Sequence, residues 1–206
     1  MRARKAYDPA MISLRSLLFS LVGLFAALPL AQAGDAPAPV PPGFVREKLD
    51  EIKTTLIKPK DWHVVHHLRK DPADPIAFQV TQEDVEKLGS FKTGLTINVY
   101  DQVPARFRVQ PSEFAAELLK LYAAKGTVET EKKDIPMGKL MMSRMQMKRT
   151  MSLLGKETET RLVVTTMANN TTGTCFLFIF GTPMADWEAT LPILTQMSLV
   201  VIDDDR

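Results

Sequence analysis

The sequence has few of the residues that disulfide-bonded folds, metal sites and redox sites commonly use. Among its 206 residues there is one cysteine, Cys175, so the chain cannot form an internal disulfide. It has three histidines, which limits the imidazole ligands available to a metal ion. We find no phosphate-binding loop, no GxSxG nucleophile motif, no HExxH zinc motif and no paired-cysteine site. Motifs therefore give no direct indication of catalysis.

The amino-terminal residues predict a secretory signal peptide. An apolar run at residues 17–30 is followed by Ala31-Gln32-Ala33, the small-x-small pattern of a cleavage site. The basic residues that precede the run are Arg2, Arg4, Lys5 and Arg15. We expect cleavage after residue 33, with Met1 or Met11 as the start, and a periplasmic or secreted protein. The run is too short for a comfortable membrane span, so we expect no transmembrane segment in the mature chain.

The charge balance offers no electrostatic site for nucleic acid. The formal net charge is +2, from 26 Lys and Arg against 24 Asp and Glu. Residues 1–33 hold four of the basic and one of the acidic residues, so cleavage leaves 22 against 23. A nearly neutral mature chain does not predict a nucleic-acid partner.

We expect a proline-rich leader at residues 34–43 and a single domain at residues 44–206. GDAPAPVPPG has four prolines in ten residues, which is typical of an extended spacer. At the start of the domain, helical spacing of apolar residues predicts a short amphipathic helix. These residues are Val45, Leu49, Ile52 and Leu56. A strand around residues 55–57 should follow, and Pro59 should end it.

Residues 77–103, AFQVTQEDVEKLGSFKTGLTINVYDQV, predict two strands joined by a short helix. Apolar and more polar residues alternate in the second strand. They are Leu95, Ile97 and Val99 on one face and Thr96, Asn98 and Tyr100 on the other. Gly94 indicates a bulge or a close backbone approach. Thr81 is placed to cap the helix, and Gly89 to end it.

The remaining chain predicts a helix, a run of antiparallel strands and a second helix. The helix at residues 111–124 begins with Pro111. Its apolar positions are Phe114, Leu118, Leu121 and Tyr122. Strand-like segments with turn residues between them should form a meander, in which residues 176–180, apolar on both faces, should be central. Trp187 and Leu194 then lie on a helix at about residues 184–196, which Pro192 is expected to bend or divide.

The 77–103 segment resembles PsbP-like proteins, in which a strand, a short helix, a phenylalanine and a Thr-Gly-Leu step lead into a central strand. The tryptophan-containing final helix with its apolar tail also resembles that family's carboxy terminus. The resemblance implies an α+β fold, an α-β-α sandwich with a central, mainly antiparallel sheet flanked by helices. The same fold occurs in the Ran-binding import factor and in several bacterial periplasmic proteins.

Two groups of side chains are candidate metal ligands. His63 and His67 fall on one face of a predicted strand, but they are too far apart to chelate one ion without further ligands. Thioether sulfur can bind copper, and four methionines share a strand face with Ser143 and Arg149. They are Met141, Met145, Met147 and Met151.

Solvent-facing imidazoles and ordinary methionine packing explain both patterns. We therefore expect no catalytic residue, no cofactor and no metal site. If a metal is bound, the candidate ligands are His63, His67, Met145 and Met147.

Two classes of function are consistent with these patterns. The PsbP-like resemblance implies a noncatalytic exported module that contacts a protein or a small ligand. The alternatives are a hydrolase-like enzyme with a dispersed polar site, and a periplasmic metal-binding protein. A deep polar pocket in the folded chain would favour an enzyme, whereas a flat apolar surface would favour a module that contacts a partner.

Overall fold

The structure, a computed structural model, describes residues 39–71, 74–197 and 201–202. The predicted signal peptide and most of the proline-rich leader lie outside these residues. Ten strands form two sheets in the described ranges. In chain order the strands are β1 (Phe44–Leu49), β2 (Thr54–Pro59), β3 (His63–His67), β4 (Ile76–Thr81), β5 (Gly94–Tyr100), β6 (Thr127–Met137), β7 (Leu140–Leu153), β8 (Lys156–Asn169), β9 (Thr174–Pro183) and β10 (Val201–Ile202).

The larger sheet has seven strands in the order β3-β4-β5-β9-β8-β7-β6, and all neighbouring strands are antiparallel. The predicted meander is confirmed, because β6 to β9 follow one another in space as they do in sequence. Strand β9 contains residues 176–180 and is the fourth of the seven, which confirms the prediction that it is central. Its alternating side chains are buried against both faces of the sheet.

Four helices accompany the sheets in the described part of the chain. They are α1 (Val85–Leu88), α2 (Val103–Phe107), α3 (Pro111–Ala123) and α4 (Trp187–Met197), with 3₁₀ turns at Asp50–Ile52 and Met184–Asp186. Helix α4 is continuous although Pro192 lies inside it. Asp84, not Thr81 as predicted, caps α1: its carboxylate accepts a hydrogen bond from the Lys87 backbone N–H at 3.3 Å.

Helices lie on opposite faces of the seven-stranded sheet, which confirms the α-β-α arrangement. One face carries the largest apolar core and is covered by α4 together with the smaller sheet, whose order is β1-β2-β10. Phe78, Ile97 and Phe180 lie in this core with Trp187 and Leu194 of α4. Helix α3 packs on the other face, against β7, β8 and β9.

The prediction of a helix near residues 45–56 was wrong. Phe44–Leu49 is a strand that pairs with β2. The chain reverses through the 3₁₀ turn and Lys53, whose φ of 47° is left-handed. The tight hairpin places on one side the same residues that a helix would have placed there. The side chains of Leu49, Ile52 and Leu56 are therefore still buried together. A spacing of three and four residues cannot separate these alternatives over so short a segment.

Helix α3 is confirmed at its predicted place, but its buried stripe is rotated. Ala115 and Leu119 are the buried apolar side chains, and Phe114 and Leu118 are half-buried. Leu121, predicted to lie in the core, has 57% of its surface exposed. Leu121 follows the buried Leu119 by two residues, a little more than half a helical turn, so it faces away from the sheet.

Candidate functional site

A groove of about 450 Å³ lies on the α3 side of the seven-stranded sheet. Its floor is made by side chains of β4, β5, β9, β8 and β7 that point to this face. One wall is the loop after α1, and the other is the carboxyl end of α3, where Tyr122 lies. The volume is within the usual range of roughly 300–1,000 Å³ for small-molecule sites.

The groove exists because α3 covers only part of this sheet face. Leu119 of α3 contacts the half of the sheet that carries Met145, Met147 and Leu177. The uncovered half carries Gln79 and Thr96, which are opposite each other in the β4–β5 register. Polar side chains at these two positions are consistent with a sheet surface that faces a solvent-filled space.

A pair of glycines lies at the floor of the groove, and one of them, Gly181, is part of its lining. Gly94 of β5 lies opposite Gly181 of β9, and Gly181 lies opposite Leu162 of β8. A Cβ on Gly94 would lie 2.8 Å from the Val80 carbonyl oxygen, and a Cβ on Gly181 would lie 2.8 Å from Leu162 Cδ2. The expected close approach at Gly94 is confirmed, and the register through it is continuous, so there is no bulge at this position. Neighbouring atoms already fill the space that a side chain on either glycine would need.

The loop wall is held in place by hydrogen bonds. The Glu83 carboxylate accepts hydrogen bonds from the backbone N–H groups of Lys92 and Thr93, at 3.1 and 3.2 Å. The Thr93 hydroxyl lies 2.9 Å from the hydroxyl of Thr182 on β9. These contacts fix the loop onto the sheet, so the groove is formed without a ligand.

The tip of the β7–β8 hairpin closes one end of the groove. The Leu154 backbone N–H donates to Ser90 Oγ at 3.2 Å, which joins the hairpin to the loop wall. Leu154 has a φ of 50° and is 37% exposed. Leu154 and Gly155, with φ of 50° and 76°, are the two loop residues of the hairpin, and a two-residue turn between paired strands favours positive φ at both positions.

Two polar atoms at the groove have no partner within the described chain. Gln79 Oε1 and Arg149 Nε are both buried without a hydrogen bond. Arg149 also takes part in none of the ion pairs found among the described residues. Burial raises the pKa of Tyr122, which also lines the groove, and the charge of Arg149 opposes that rise. Buried polar atoms are usually paired in folded proteins, and the side chains of Gln79 and Arg149 both line the groove.

The charged side chains that line the groove are both basic. Its charged lining residues are Lys92 and Arg149, and no carboxylate appears in its lining. Aliphatic and aromatic side chains alternate with amides and hydroxyls, as is typical of sites for small organic molecules.

The structure places the histidine candidates on the edge strand β3. His63 and His67 are exposed, and four residues along a strand separate them by roughly 13 Å. His66 stacks on Phe78 at 4.6 Å between ring centroids and has Nδ1 3.1 Å from Glu51 Oε1. Within the described ranges, no three His, Cys, Asp or Glu side chains are grouped to hold a metal ion.

The methionine candidates are buried under α3. Met145 and Met147 have 3% and 0% of their surface exposed and pack with Leu119. Four strands lie between β7 and β3, so at about 4.8 Å per strand the methionines lie roughly 24 Å from the histidines. The two candidate groups are not brought together, and the absence of a tight metal site stays a prediction.

Cys175 is a buried side chain of β9, as expected from its apolar run. It is fully buried near Ala115 and Ala168, and burial raises the pKa of its thiol to about 12. A thiol with so high a pKa has almost no thiolate at neutral pH and is a poor nucleophile.

Sequence reasoning did not single out the groove residues. It places Thr96 and Asn98 on the polar face of β5, and Arg149 on the methionine face of β7, as ordinary strand positions. A usable signal is present, because a strand near the middle of a sheet covered on both faces should be apolar on both. Thr96 and Asn98 therefore indicate that one face of β5 is open.

No helix in the described ranges is both long and apolar enough to cross a membrane. A scan against protein-family models finds no match, and a search of curated proteins finds none either.

Solved structures do match the fold. The solution structure of cyanobacterial PsbP from Synechocystis sp. PCC 6803 superposes with a TM-score of 0.51 at 11% identity, over 82% of this chain and 98% of that one. The Ran-binding protein Mog1p of Saccharomyces cerevisiae gives a TM-score of 0.46 at 13% identity, over 78% and 96% of the two chains. A protein of unknown function from Pseudomonas aeruginosa gives 0.43 at 11% identity, over 76% and 94%.

The likeness to the cyanobacterial PsbP gives the class of fold. The chain has a PsbP-like fold, as the 77–103 segment predicted, and the likeness spans nearly all of that protein. At 11% identity it concerns the fold, and function has to be argued from the groove.

Proposed function

We propose that this protein is a noncatalytic, exported binding module that holds a small molecule in the groove beside α3. The observation that carries the proposal is the preformed groove itself, in which buried polar atoms of Gln79 and Arg149 lack partners within the described chain. The cost of leaving such atoms unpaired, about 1–3 kcal/mol each, is relieved when a ligand pairs them.

The chemistry of the lining supports binding. Its titratable side chains are Lys92, Arg149 and Tyr122, which supply positive charge and hydrogen-bond donors. The apolar side chains of Phe91 and Ile179 provide contact area for the body of a ligand. This combination orients a bound molecule and removes part of its surface from water.

The same lining favours binding over hydrolysis. It includes the hydroxyls of Ser90 and Ser152, but no histidine or carboxylate that would activate a serine as a nucleophile. The Glu83 carboxylate of the loop wall is turned to the backbone N–H groups of Lys92 and Thr93. The groove therefore supplies anchors for a ligand and lacks the general base that acyl transfer requires.

Protein-detected NMR with a library of small organic acids, amides and amines tests the proposal on the purified protein. We expect shift changes to cluster at the backbone amides of Thr96, Asn98 and Ile179. Thr96→Phe should fill the groove and abolish binding, because Thr96 lies on the floor between Gln79 and Ile179.

Thr150→Phe is the matched control. Thr150 is an exposed residue on the opposite face of β7 from Arg149, so the same substitution there should leave binding unchanged. Both variants should keep a cooperative unfolding transition. Shift changes that map outside the groove, or equal binding by Thr96→Phe and the unsubstituted protein, would contradict the proposed site.

Export is the second part of the proposal and has its own test. The basic start, the apolar run at residues 17–30 and Ala31-Gln32-Ala33 support cleavage after residue 33. Intact mass spectrometry of the protein from the extracytoplasmic fraction should give the mass of residues 34–206. A species from that fraction that retains residues 17–30 would show that the leader is not removed.

A further inference from the structure

We infer that the ligand of the groove is a small organic anion, a carboxylate with an apolar body, and that Arg149 binds its charged end. This inference rests on the proposed function, since it names the ligand class for the same groove. It is carried by the position, burial and lack of partners of Arg149 and by the sign of the charge around it.

Arg149 lies on β7 opposite Thr160 of β8, and both residues line the groove. Three other arginines in the described part of the chain, Arg69, Arg106 and Arg161, are paired with carboxylates. Arg69 Nη2 lies 3.0 Å from an Asp101 oxygen, and Arg161 Nη2 donates to Glu129 Oε1 at 3.0 Å.

Arg149 has no such ion pair among the described residues, and this sets it apart from those three. Its Nε is buried without a hydrogen bond, as is the Nε of Arg69. A guanidinium presents two parallel N–H groups that suit bidentate binding of a carboxylate. An anion in the groove would therefore give Arg149 the kind of pairing that Arg69, Arg106 and Arg161 find within the chain.

The surroundings of Arg149 favour an anion over a neutral or cationic ligand. The other charged side chain of the lining is Lys92, and no Asp or Glu lines the groove. Two positive charges in the lining attract a negative ligand and repel a positive one. The acid described beside them, Glu83 of the loop wall, is turned to the backbone N–H groups of Lys92 and Thr93. The amides of Gln79 and Asn98 can donate or accept hydrogen bonds, so they add orientation without reversing the preference.

The rest of the groove requires an apolar body on that anion. Phe91, Tyr122, Met151 and Ile179 line it together with the hydroxyls and amides. A bare inorganic anion would leave this apolar surface in water, whereas a ligand with a hydrocarbon or aromatic part covers it.

Three probes of one shape test the charge preference: 3-phenylpropanoate, 3-phenylpropanamide and 3-phenylpropylammonium. Dissociation constants are measured by NMR titration of the purified protein in about 0.15 M salt, where the Debye length is about 8 Å and distant surface charges are screened. We expect the anion to bind at least about tenfold more tightly than the amide, because charge-assisted hydrogen bonds are the stronger ones. The ammonium probe should bind more weakly than the amide.

Two substitutions assign the preference to Arg149. Arg149→Gln should reduce the anion-to-amide ratio to about one while the affinity for the amide stays within about threefold, and Arg149→Lys should retain part of the ratio. Arg108→Gln is the matched control, since Arg108 is exposed and is not part of the groove lining. An unchanged ratio in Arg149→Gln would overturn the inference.

The outcomes separate this inference from the proposed function. If the three probes bind equally and Thr96→Phe abolishes all binding, the groove is a ligand site and the anion preference is wrong. If the anion binds equally to the unsubstituted protein and to Thr96→Phe, the groove is not the site and both conclusions fail. Absence of binding by all three probes at about 10 mM, roughly the weakest affinity expected for ligands of this size, would also overturn the inference.

Discussion

Replacing Leu119 by alanine should destabilise the protein strongly, although the neighbouring Leu121 should tolerate the same change. Leu119 is 2% exposed and packs with Met145 and Met147, whereas Leu121 on the same helix is 57% exposed. Leu→Ala removes three carbon atoms, which at about 0.8 kcal/mol each gives roughly 2.4 kcal/mol of lost transfer free energy. The cavity left under α3 adds to this, so we expect about 3–4 kcal/mol, within the usual range of about 2–5.

Urea unfolding followed by circular dichroism measures the difference directly. Leu119→Ala should lower the midpoint at an unchanged m-value, which identifies a change in stability and not in the surface exposed on unfolding. Leu121→Ala should change the free energy of unfolding by less than about 0.5 kcal/mol, as for most exposed positions. A loss below about 1 kcal/mol for Leu119→Ala, or equal losses in the two variants, would refute the packing of α3 described above.

Three further predictions concern ionisable and metal-binding groups. The Cys175 thiol is buried and its pKa is raised to about 12, so it should not react with a disulfide reagent in the folded protein. It should react fully once guanidinium has unfolded the chain. Rapid reaction of the folded protein would contradict this prediction. Burial opposes ionisation of Asp101, but the hydrogen bond and charge of Arg69, with a second arginine close by, outweigh it and hold the pKa of Asp101 below its ordinary value. The stability that this carboxylate contributes is therefore present above about pH 4 and is lost as the pH falls through the folded-state pKa. Asp101→Asn cannot lose this contribution. Urea titrations should therefore show a smaller loss of stability between about pH 5 and pH 2 in Asp101→Asn than in the unsubstituted protein. Calorimetric titration with zinc or copper(II) should show only weak, ill-defined heats, because we expect no tight metal site. Binding of one equivalent with submicromolar affinity, lost when His63 and His67 are both changed to alanine, would contradict this expectation.

Alternation of apolar residues made most of the large sheet predictable. In β5 and β9, period-two patterns identified the buried faces and the central position of residues 176–180. These patterns are local, so they can be read from a short segment. The hairpin of β1 and β2 was missed because Leu49, Ile52 and Leu56 satisfy helical spacing as well. The chain reverses at Lys53, whose backbone is left-handed, and lysine is not a residue that indicates such a turn.

The groove could not be predicted because it depends on pairing between distant strands. Gln79 and Thr96 become neighbours through the β4–β5 register, and Arg149 joins them only after β9 and β8 have been inserted between β5 and β7. How far α3 extends over the sheet decides which of these side chains remain uncovered. Neither the strand order nor the coverage by a helix is encoded in the spacing of residues within one segment.

The paired glycines Gly181 and Gly94 differ in how easily each could be replaced by a larger residue. A methyl group on Gly181 meets the end of the flexible Leu162 side chain, which can rotate away, whereas one on Gly94 meets the fixed carbonyl oxygen of Val80. Gly181→Ala should therefore make the groove shallower without disrupting strand pairing, and Gly94→Ala should strain the sheet. Position 181 is a place where a related chain, or a designed one, can change ligand length while leaving the polar anchor at Arg149 untouched.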